Sequence, residues 1–185
     1  MDRQLKTELS DGQILIRRYR AEDAQIMYDA VRESIPEVSR WLPWCHADYA
    51  IDETRVFLAA QDETWGNGKD YGFGIFDAVS GAYHGGVGLN HIVEEYRYAN
   101  LGYWVRTGSA GRGIASRATR LAARFGFEEL GLQRVEIVAA VGNVGSQRVA
   151  EKAGALREGV LRKRIVLDGV THDAVLYSLV AEDLV

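Results

Sequence analysis

The chain has 185 residues, of which 47% are hydrophobic and 26% charged, with a formal net charge of −4. This length fits a single domain, residues 1–185, that can bury roughly 70% of its unfolded surface. The small negative charge does not favour binding to nucleic acid or to an anionic membrane, so we expect neither partner. The single cysteine, Cys45, excludes an internal disulfide and fits a reducing compartment. A polar N-terminal stretch and the lack of a long apolar run predict a cytoplasmic protein without a signal peptide or membrane span.

The first third of the chain is mainly helical by pattern. Residues 13–19 have strand composition, and residues 21–35 place apolar side chains on one face of an amphipathic helix. A short helix followed by an aromatic loop is predicted for residues 36–49. Asp52 is the predicted N-cap of a further helix that ends near Gly66.

The pattern then changes to strands. Three consecutive antiparallel strands are predicted at residues 71–77, 82–93 and 98–105. Helical spacing follows over residues 114–130, and residues 134–141 form a nearly all-apolar strand of the kind found at the centre of a sheet.

A short helix and a closing hairpin complete the chain. The helix is predicted at residues 145–155, and the hairpin strands at residues 155–169 and 170–180. Helices, a meander and then strand–helix–strand–helix–hairpin predict an α+β fold, in which helices cover a mixed sheet. This order does not fit a doubly wound parallel sheet.

A glycine-dense bend separates the third meander strand from the helix that follows it. Gly108, Gly111 and Gly113 lie within six residues. Such a bend leaves unpaired backbone N–H groups at the first helical turn, near the positive end of the helix dipole. Arg112 and Arg117 add cationic donors that suit phosphate oxygens. A plain tight turn is the alternative, but the pattern favours an anion site.

Two common nucleotide-binding motifs do not match this bend. No Gly-Lys-Ser/Thr follows it, so the lysine and the magnesium-binding hydroxyl of a P-loop are missing. The glycine intervals are reversed relative to G-x-G-x-x-G, and a meander precedes them instead of the first strand of a βαβ unit. Neither nucleotide fold is therefore favoured.

The bend and its helix, GSAGRGIASRATRLAARFGF, resemble the pyrophosphate-binding motif Q/R-x-x-G-x-G/A of the GNAT acyl-CoA N-acyltransferases. Four further segments resemble its Rim-type branch, the ribosomal-protein N-terminal acetyltransferases RimJ and RimL and their relatives: WLPW, NLGYWV, VGNVGSQRVAEKAGALREGVLR and THDAVLYSL. The resemblance covers nearly the whole chain and implies a GNAT fold, whose mostly antiparallel, twisted sheet splays at the acyl-CoA site. Gly108 departs from the motif's Q/R position, which removes one side-chain contact but keeps the backbone cradle.

The resemblance implies that acetyl-CoA is the cosubstrate and lies in the gap of the splayed sheet. The implied contacts are backbone groups beside the gap, the glycine bend and the N-x-x-S motif, namely Trp104, Val105, Ala110, Gly111, Arg112, Gly113, Ile114, Ala115, Asn143 and Ser146. A turn residue or a helix cap is the other interpretation of Asn143, because asparagine suits both roles.

Ser146 and Tyr103 are the catalytic residues that the resemblance implies. In Rim-type enzymes the serine at the position of Ser146 hydrogen-bonds the departing sulfur, which stabilises developing thiolate charge. Tyr103 would offer backbone groups to the pantetheine arm and the thioester. Alternatively, Ser146 caps the following helix, and one hydroxyl can serve both purposes.

The sequence contains no evident general base. Many relatives carry A-E-I-G-Y-W, but the glutamate position is Asn100 here, which cannot titrate. The remaining candidates are side chains of types that are usually solvated or structural, namely His91, Glu94, Glu95, Glu158 and Asp173. An α-amine has a pKa of about 8 and a lysine amine one of about 10.4, so a missing base favours an α-amine or another amine of low pKa.

Three residues are candidate substrate contacts. Trp41 and Trp44 lie in a proline-bent loop that the resemblance places beside the acceptor groove, and Asn100 stands at the position of the missing glutamate. Core packing is the alternative for both tryptophans. The four histidines have no ligand spacing, so we expect no metal site.

The sequence therefore predicts an acetyl-CoA-dependent N-acetyltransferase. Its expected acceptor is the N-terminal α-amine of a protein or peptide, which attacks the thioester directly in a ternary complex. One alternative is an enzyme that acetylates a small amine such as an antibiotic or a polyamine. The other is a non-catalytic CoA-binding sensor or adaptor, which the loss of the glutamate at Asn100 favours. The sequence is compatible with a monomer or a homodimer.

Overall fold

Eight strands and four α-helices follow one another in the computed structural model, which describes residues 5–184. Residues 1–4 and 185, the two ends of the predicted domain, lie outside the described residues. The elements are β1 (Glu8–Ser10), β2 (Ile14–Arg18), α1 (Ala24–Val38), α2 (Ile51–Gly66), β3 (Tyr71–Asp77), β4 (Tyr83–Val93), β5 (Tyr98–Val105), α3 (Ile114–Glu128), β6 (Arg134–Ala140), α4 (Val144–Ala153), β7 (Leu156–Leu167) and β8 (Val170–Leu179).

All eight strands form one open sheet in the order β1-β2-β3-β4-β5-β6-β8-β7. The pair β5–β6 is parallel and the other neighbouring pairs are antiparallel. The connection from β5 to β6 runs through α3, as a parallel pair requires. The predicted α+β fold with a mixed sheet is confirmed.

Helices cover both faces of this sheet. On one face the fully buried Phe125 of α3 lies 5.1 Å, between ring centroids, from Phe73 of β3. On the other face, Met27 and Val31 of α1 pack in a separate cluster with Tyr83 of β4. The amphipathic stripe predicted for α1 therefore faces this second cluster.

Two local predictions are wrong, and one strand was not predicted. α1 continues through Pro36 to Val38, where we expected a new helix to begin, because a proline in the last turn removes only one backbone hydrogen bond. Asp52 is not the cap of α2, since Ala50 occupies that position and Glu53 accepts a hydrogen bond from its backbone N–H at 2.8 Å. The three-residue strand β1 had no sequence signal of its own.

The sheet splits between β5 and β6. These strands pair over three residues only, from Tyr98 opposite Arg134 to Asn100 opposite Glu136. Beyond that point β5 stays paired with β4, and β6 stays paired with β8. Each strand follows its outer neighbour, so a gap opens between residues 101–105 and 137–140, as the predicted splay requires.

No helix among residues 5–184 is both long enough and apolar enough to cross a membrane.

Candidate active site

The gap between β5 and β6 opens into a groove of about 790 Å³ that is lined from both faces of the sheet. One side is formed by the glycine bend and by the first turns of α3 and α4. The other side is formed by Glu37 at the end of α1, by the loop residues Trp41, Leu42 and Pro43, and by residues 165–167 of β7. The groove therefore runs through the sheet from the α3–α4 face to the α1 face.

The bend is a cradle of backbone donors. Gly111 and Gly113 have φ angles of +75° and +76°, which strongly favour glycine. No described side chain caps α3, so the backbone N–H groups of its first turn keep their hydrogen-bonding capacity. The dipole of α3 adds positive potential at the same place. The bend is thus suited to an anion.

The start of the bend is anchored to α1. The Thr107 N–H donates to Ser34 Oγ at 3.1 Å, and the Gly108 N–H donates to Glu33 Oε1 at 2.7 Å. Glu33 also forms an ion pair with Arg106. The Gly108 N–H is therefore already occupied. The Ser109 and Ala110 N–H groups donate to the carbonyl oxygens of Arg106 and Thr107 at 2.9 and 3.1 Å, so the donors available to an anion begin at Gly111.

The two arginines near the bend, which the sequence predicts as phosphate contacts, have different surroundings. Arg117 is bound to Asp11 with a 2.7 Å separation between Nη1 and Oδ2. Arg112 is exposed, and the groove lining contains its neighbours Gly111 and Gly113 but not Arg112 itself. The cradle therefore depends on backbone groups more than on guanidinium groups.

Ser146 and Tyr103 meet at the groove although they are far apart in sequence. The Tyr103 hydroxyl donates to the Ser146 carbonyl oxygen at 2.8 Å and lies 3.0 Å from Ser146 Oγ. Burial raises the pKa of Tyr103 to about 12, so this phenol stays protonated at neutral pH. The pair places two hydroxyl groups beside the gap.

Asn143 fixes the position of this pair. Its Oδ1 accepts the Ser146 N–H at 3.0 Å and caps α4, so the cap interpretation of Asn143 is confirmed. The alternative that Ser146 is the cap is wrong, because Ser146 lies in the first turn and is the residue being capped. Asn143 also lines the groove.

The three predicted substrate contacts lie in different surroundings. Trp41 lines the groove. Trp44 is not part of the described lining. Its ring packs edge-on against Trp104, which does line the groove, with 5.5 Å between the ring centroids. Asn100 is also outside that lining, and its Nδ2 donates to Asn90 Oδ1 at 2.8 Å.

None of the five candidate bases lines this groove in the described part of the chain. Glu158 binds Arg134 through two contacts of 2.6 Å, and this guanidinium lowers the pKa of Glu158 to about 2. Asp173 accepts the Lys163 N–H at 2.8 Å. His91, Glu94 and Glu95 are exposed around the β4–β5 turn, away from the splayed end of the sheet.

Sequence reasoning missed Glu37, the one carboxylate that lines the groove among the described residues. Its Oε2 accepts the Thr107 hydroxyl at 2.8 Å. On the opposite side Arg148 and Lys152 of α4 line the groove and were also missed. A sequence signal existed only for this pair, whose spacing of four residues puts both side chains on one helix face. The groove is thus acidic toward α1 and basic toward α4.

Across the described chain, no group of three or more histidine, cysteine, aspartate or glutamate side chains could hold a metal ion.

A split sheet, a glycine bend at a helix N-terminus and a serine–tyrosine pair beside the gap define the architecture of an acyltransferase. Comparison with known proteins gives the family.

Residues 13–156 match the family model described as an acetyltransferase (GNAT) domain, and the chain belongs to this family. YdaF of Bacillus subtilis (strain 168), whose name assigns it provisionally as a ribosomal N-acetyltransferase, is 31% identical over 176 residues, or 92% of each chain. A Vibrio cholerae structure with a provisional assignment as a ribosomal-protein-serine acetyltransferase is 28% identical with a TM-score of 0.81, covering 94% of this chain and 97% of that one.

The fold is also that of RimL, a ribosomal L7/L12 α-N-protein acetyltransferase solved in complex with coenzyme A. RimL is 21% identical, with a TM-score of 0.83 over 96% of this chain and 98% of that one. The protein is an N-acetyltransferase.

Proposed function

We propose that this N-acetyltransferase acetylates the N-terminal α-amine of a protein or peptide, which attacks the thioester directly in a ternary complex. The observation that carries the proposal is that the groove has very few side chains able to act as a general base. Glu37, exposed and bound to Thr107, is the single carboxylate among the described lining residues. The names of YdaF and of the Vibrio cholerae protein, both of which refer to ribosomal proteins, support a protein acceptor.

Acceptor chemistry follows from the energy of deprotonation. The pKa values of an α-amine and a lysine amine differ by about 2.6 units, which is about 3.5 kcal/mol at neutral pH. A groove with one exposed carboxylate offers little to offset that difference. An α-amine, already partly neutral at pH 7, needs the least help.

Features of the groove fit acetyl-CoA on its α3–α4 side. The free backbone donors from Gly111 to Ala115, next to the lining residue Ala110, suit a diphosphate, and the Asn143 amide and the backbone of Trp104 and Val105 suit the polar groups of pantetheine. Arg148 adds positive charge to the same side. We assign the cosubstrate to these residues.

Acetyl-CoA supplies an activated thioester when it is bound. The Ser146 hydroxyl can donate to the negative charge that develops on the departing sulfur. Tyr103 stays protonated and holds the Ser146 carbonyl, so the serine keeps its place in the first turn of α4. Tyr103 is therefore assigned to holding this pair through its hydroxyl, in addition to the backbone role that the resemblance implies.

The α1 side of the groove fits an amine acceptor. Glu37 gives this side negative charge, which attracts the ammonium form of the amine before it loses its proton. Trp41, Leu42 and Pro43 provide apolar surface for the residues next to the terminus. We assign Trp41 as a direct substrate contact, with Trp44 and Asn100 acting from behind the lining.

Matched peptides test this proposal. One peptide carries a free N-terminus and no lysine, and the other carries an acetylated N-terminus and one lysine. We expect kcat/KM for the free terminus to exceed that for the lysine by about two orders of magnitude at neutral pH. Equal or higher kcat/KM on lysine would refute the acceptor assignment. Polyamines and aminoglycosides in the same assay test the small-amine alternative.

A further inference from the structure

A β-bulge places His84 under the glycine bend. The register of β3 and β4 shifts between Tyr83 and Gly85, which leaves His84 as the extra residue. An ideal Cβ on Gly85 would lie 2.2 Å from the Trp104 carbonyl oxygen, so β4 and β5 approach this closely only because residue 85 is glycine. Bulges of this type redirect side chains. The imidazole is thereby turned toward the segment that follows β5.

The imidazole binds a serine of the cradle. His84 Nδ1 lies 2.8 Å from Ser109 Oγ, and the two residues are only 5% and 4% exposed. Ser109 lies between Gly108 and Gly111 and lines the groove. This buried pair is not part of the catalytic arrangement of Ser146, and acetyl transfer as described above does not use it.

Three charged groups face His84 from the elements packed around it. The Asp77 carboxylate at the end of β3 lies 4.0 Å from Nε2, while Arg106 follows β5 and Arg112 belongs to the bend. Burial and these two arginines lower the pKa of His84 below its usual value, and Asp77 opposes them. Hydrogen bonds from Ser80 lower the pKa of Asp77, so its carboxylate is ionised at neutral pH.

This geometry links the protonation of His84 to the direction of the Ser109 hydroxyl. In the neutral ring the Asp77 carboxylate favours the proton on Nε2, so Nδ1 accepts the Ser109 hydrogen. When solvent supplies a second ring proton, Nδ1 becomes a donor to Ser109 Oγ. The Ser109 hydrogen is then released toward the groove, and the cradle gains one donor and one nearby positive charge.

We propose that His84 is a positioning residue for acetyl-CoA, acting through Ser109, so that cosubstrate binding is coupled to the uptake of one proton. The proposal rests on the assignment of the diphosphate to the bend. Because coupling between two binding events is reciprocal, the bound diphosphate raises the proton affinity of His84 as much as the proton raises the affinity for the diphosphate.

Calorimetric titration with dephospho-CoA tests the coupling. This probe keeps the diphosphate but lacks the 3′-phosphate, whose own ionisation near pH 6 would interfere. For the unaltered protein we expect the Kd to fall about fivefold or more between about pH 8 and about pH 5.5. In His84→Gln, which keeps a polar amide beside Ser109 but cannot titrate, the Kd should be nearly independent of pH. The control His46→Gln changes an exposed histidine and should keep the full dependence.

A second measurement does not depend on the folding of a variant. NMR titration of the imidazole of His84 should give a higher pKa with saturating dephospho-CoA than without it. An unchanged pKa, or equal pH dependence of the Kd in the unaltered protein and in His84→Gln, would overturn the proposal while the cosubstrate site stands. Failure of dephospho-CoA to bind at any pH would overturn both.

Discussion

Replacing Ser146 with alanine removes the hydroxyl assigned to the departing sulfur, together with its 3.0 Å contact to the Tyr103 hydroxyl, and leaves the backbone contacts of residue 146 in place. The hydrogen bond from the Ser146 N–H to Asn143 Oδ1 uses backbone and is kept. Tyr103 retains its 2.8 Å hydrogen bond to the carbonyl oxygen of residue 146. We therefore expect a fold that is as stable as the unaltered one to within about 1 kcal/mol, since alanine is a good helix former.

The effect on the rate follows from the charge that the hydroxyl stabilises. A hydrogen bond to a charged group contributes about 1.5–3 kcal/mol. If that contribution exists only when charge builds up on sulfur, kcat should fall by about 10- to 150-fold. The Michaelis constant for acetyl-CoA should change by less than about threefold, because the neutral thioester gains little from the same bond.

Steady-state kinetics with a peptide acceptor measure both constants, and thermal unfolding checks the fold. Ser146→Thr is the matched variant, because it keeps a hydroxyl at this position and should recover part of the lost kcat. An unchanged kcat in Ser146→Ala would refute the assigned role. A large rise in the Michaelis constant for acetyl-CoA with constant kcat would mean that the serine serves binding and not the departing sulfur.

Three further predictions concern the groove and its supports. Glu37→Gln should raise the KM for the acceptor several-fold and leave the KM for acetyl-CoA unchanged, and Glu63→Gln on the exposed face of α2 is the control. Equal effects of Glu37→Gln on the two KM values would contradict this prediction. Gly111→Ala, at φ +75°, should lower the free energy of unfolding by about 1–2 kcal/mol in urea titrations and weaken CoA binding, whereas Gly159→Ala at an unstrained position should do neither. The pKa of Glu158 is lowered from 4.5 to about 2 by Arg134, so its contribution to stability is present above pH 4.5 and is lost as the pH falls toward 2; acid unfolding should show a smaller loss over that interval in Glu158→Gln.

The sequence was sufficient to predict the class of the fold and the place of its gap. The meander, the nearly all-apolar β6 and the glycine bend are local patterns, and the structure confirms each of them. The left-handed φ angles of Gly111 and Gly113 are the reason why the bend could be recognised. At these two positions the backbone conformation strongly favours glycine, so the bend leaves a clear pattern in the sequence.

Features that depend on distant contacts were not predictable. Glu37 has the pattern of a solvated helical residue, and its place in the groove follows from Thr107, seventy residues away in sequence. The bulge that turns His84 toward Ser109 depends on how β3, β4 and β5 pair.

The central claim is that the bend between β5 and α3 holds the diphosphate of acetyl-CoA within the split sheet. A crystal structure of the complex with coenzyme A measures this directly. We expect the diphosphate against the backbone of residues 110–115 and the pantetheine arm between residues 101–105 and 137–140. Coenzyme A bound elsewhere, with this groove empty, would contradict the account.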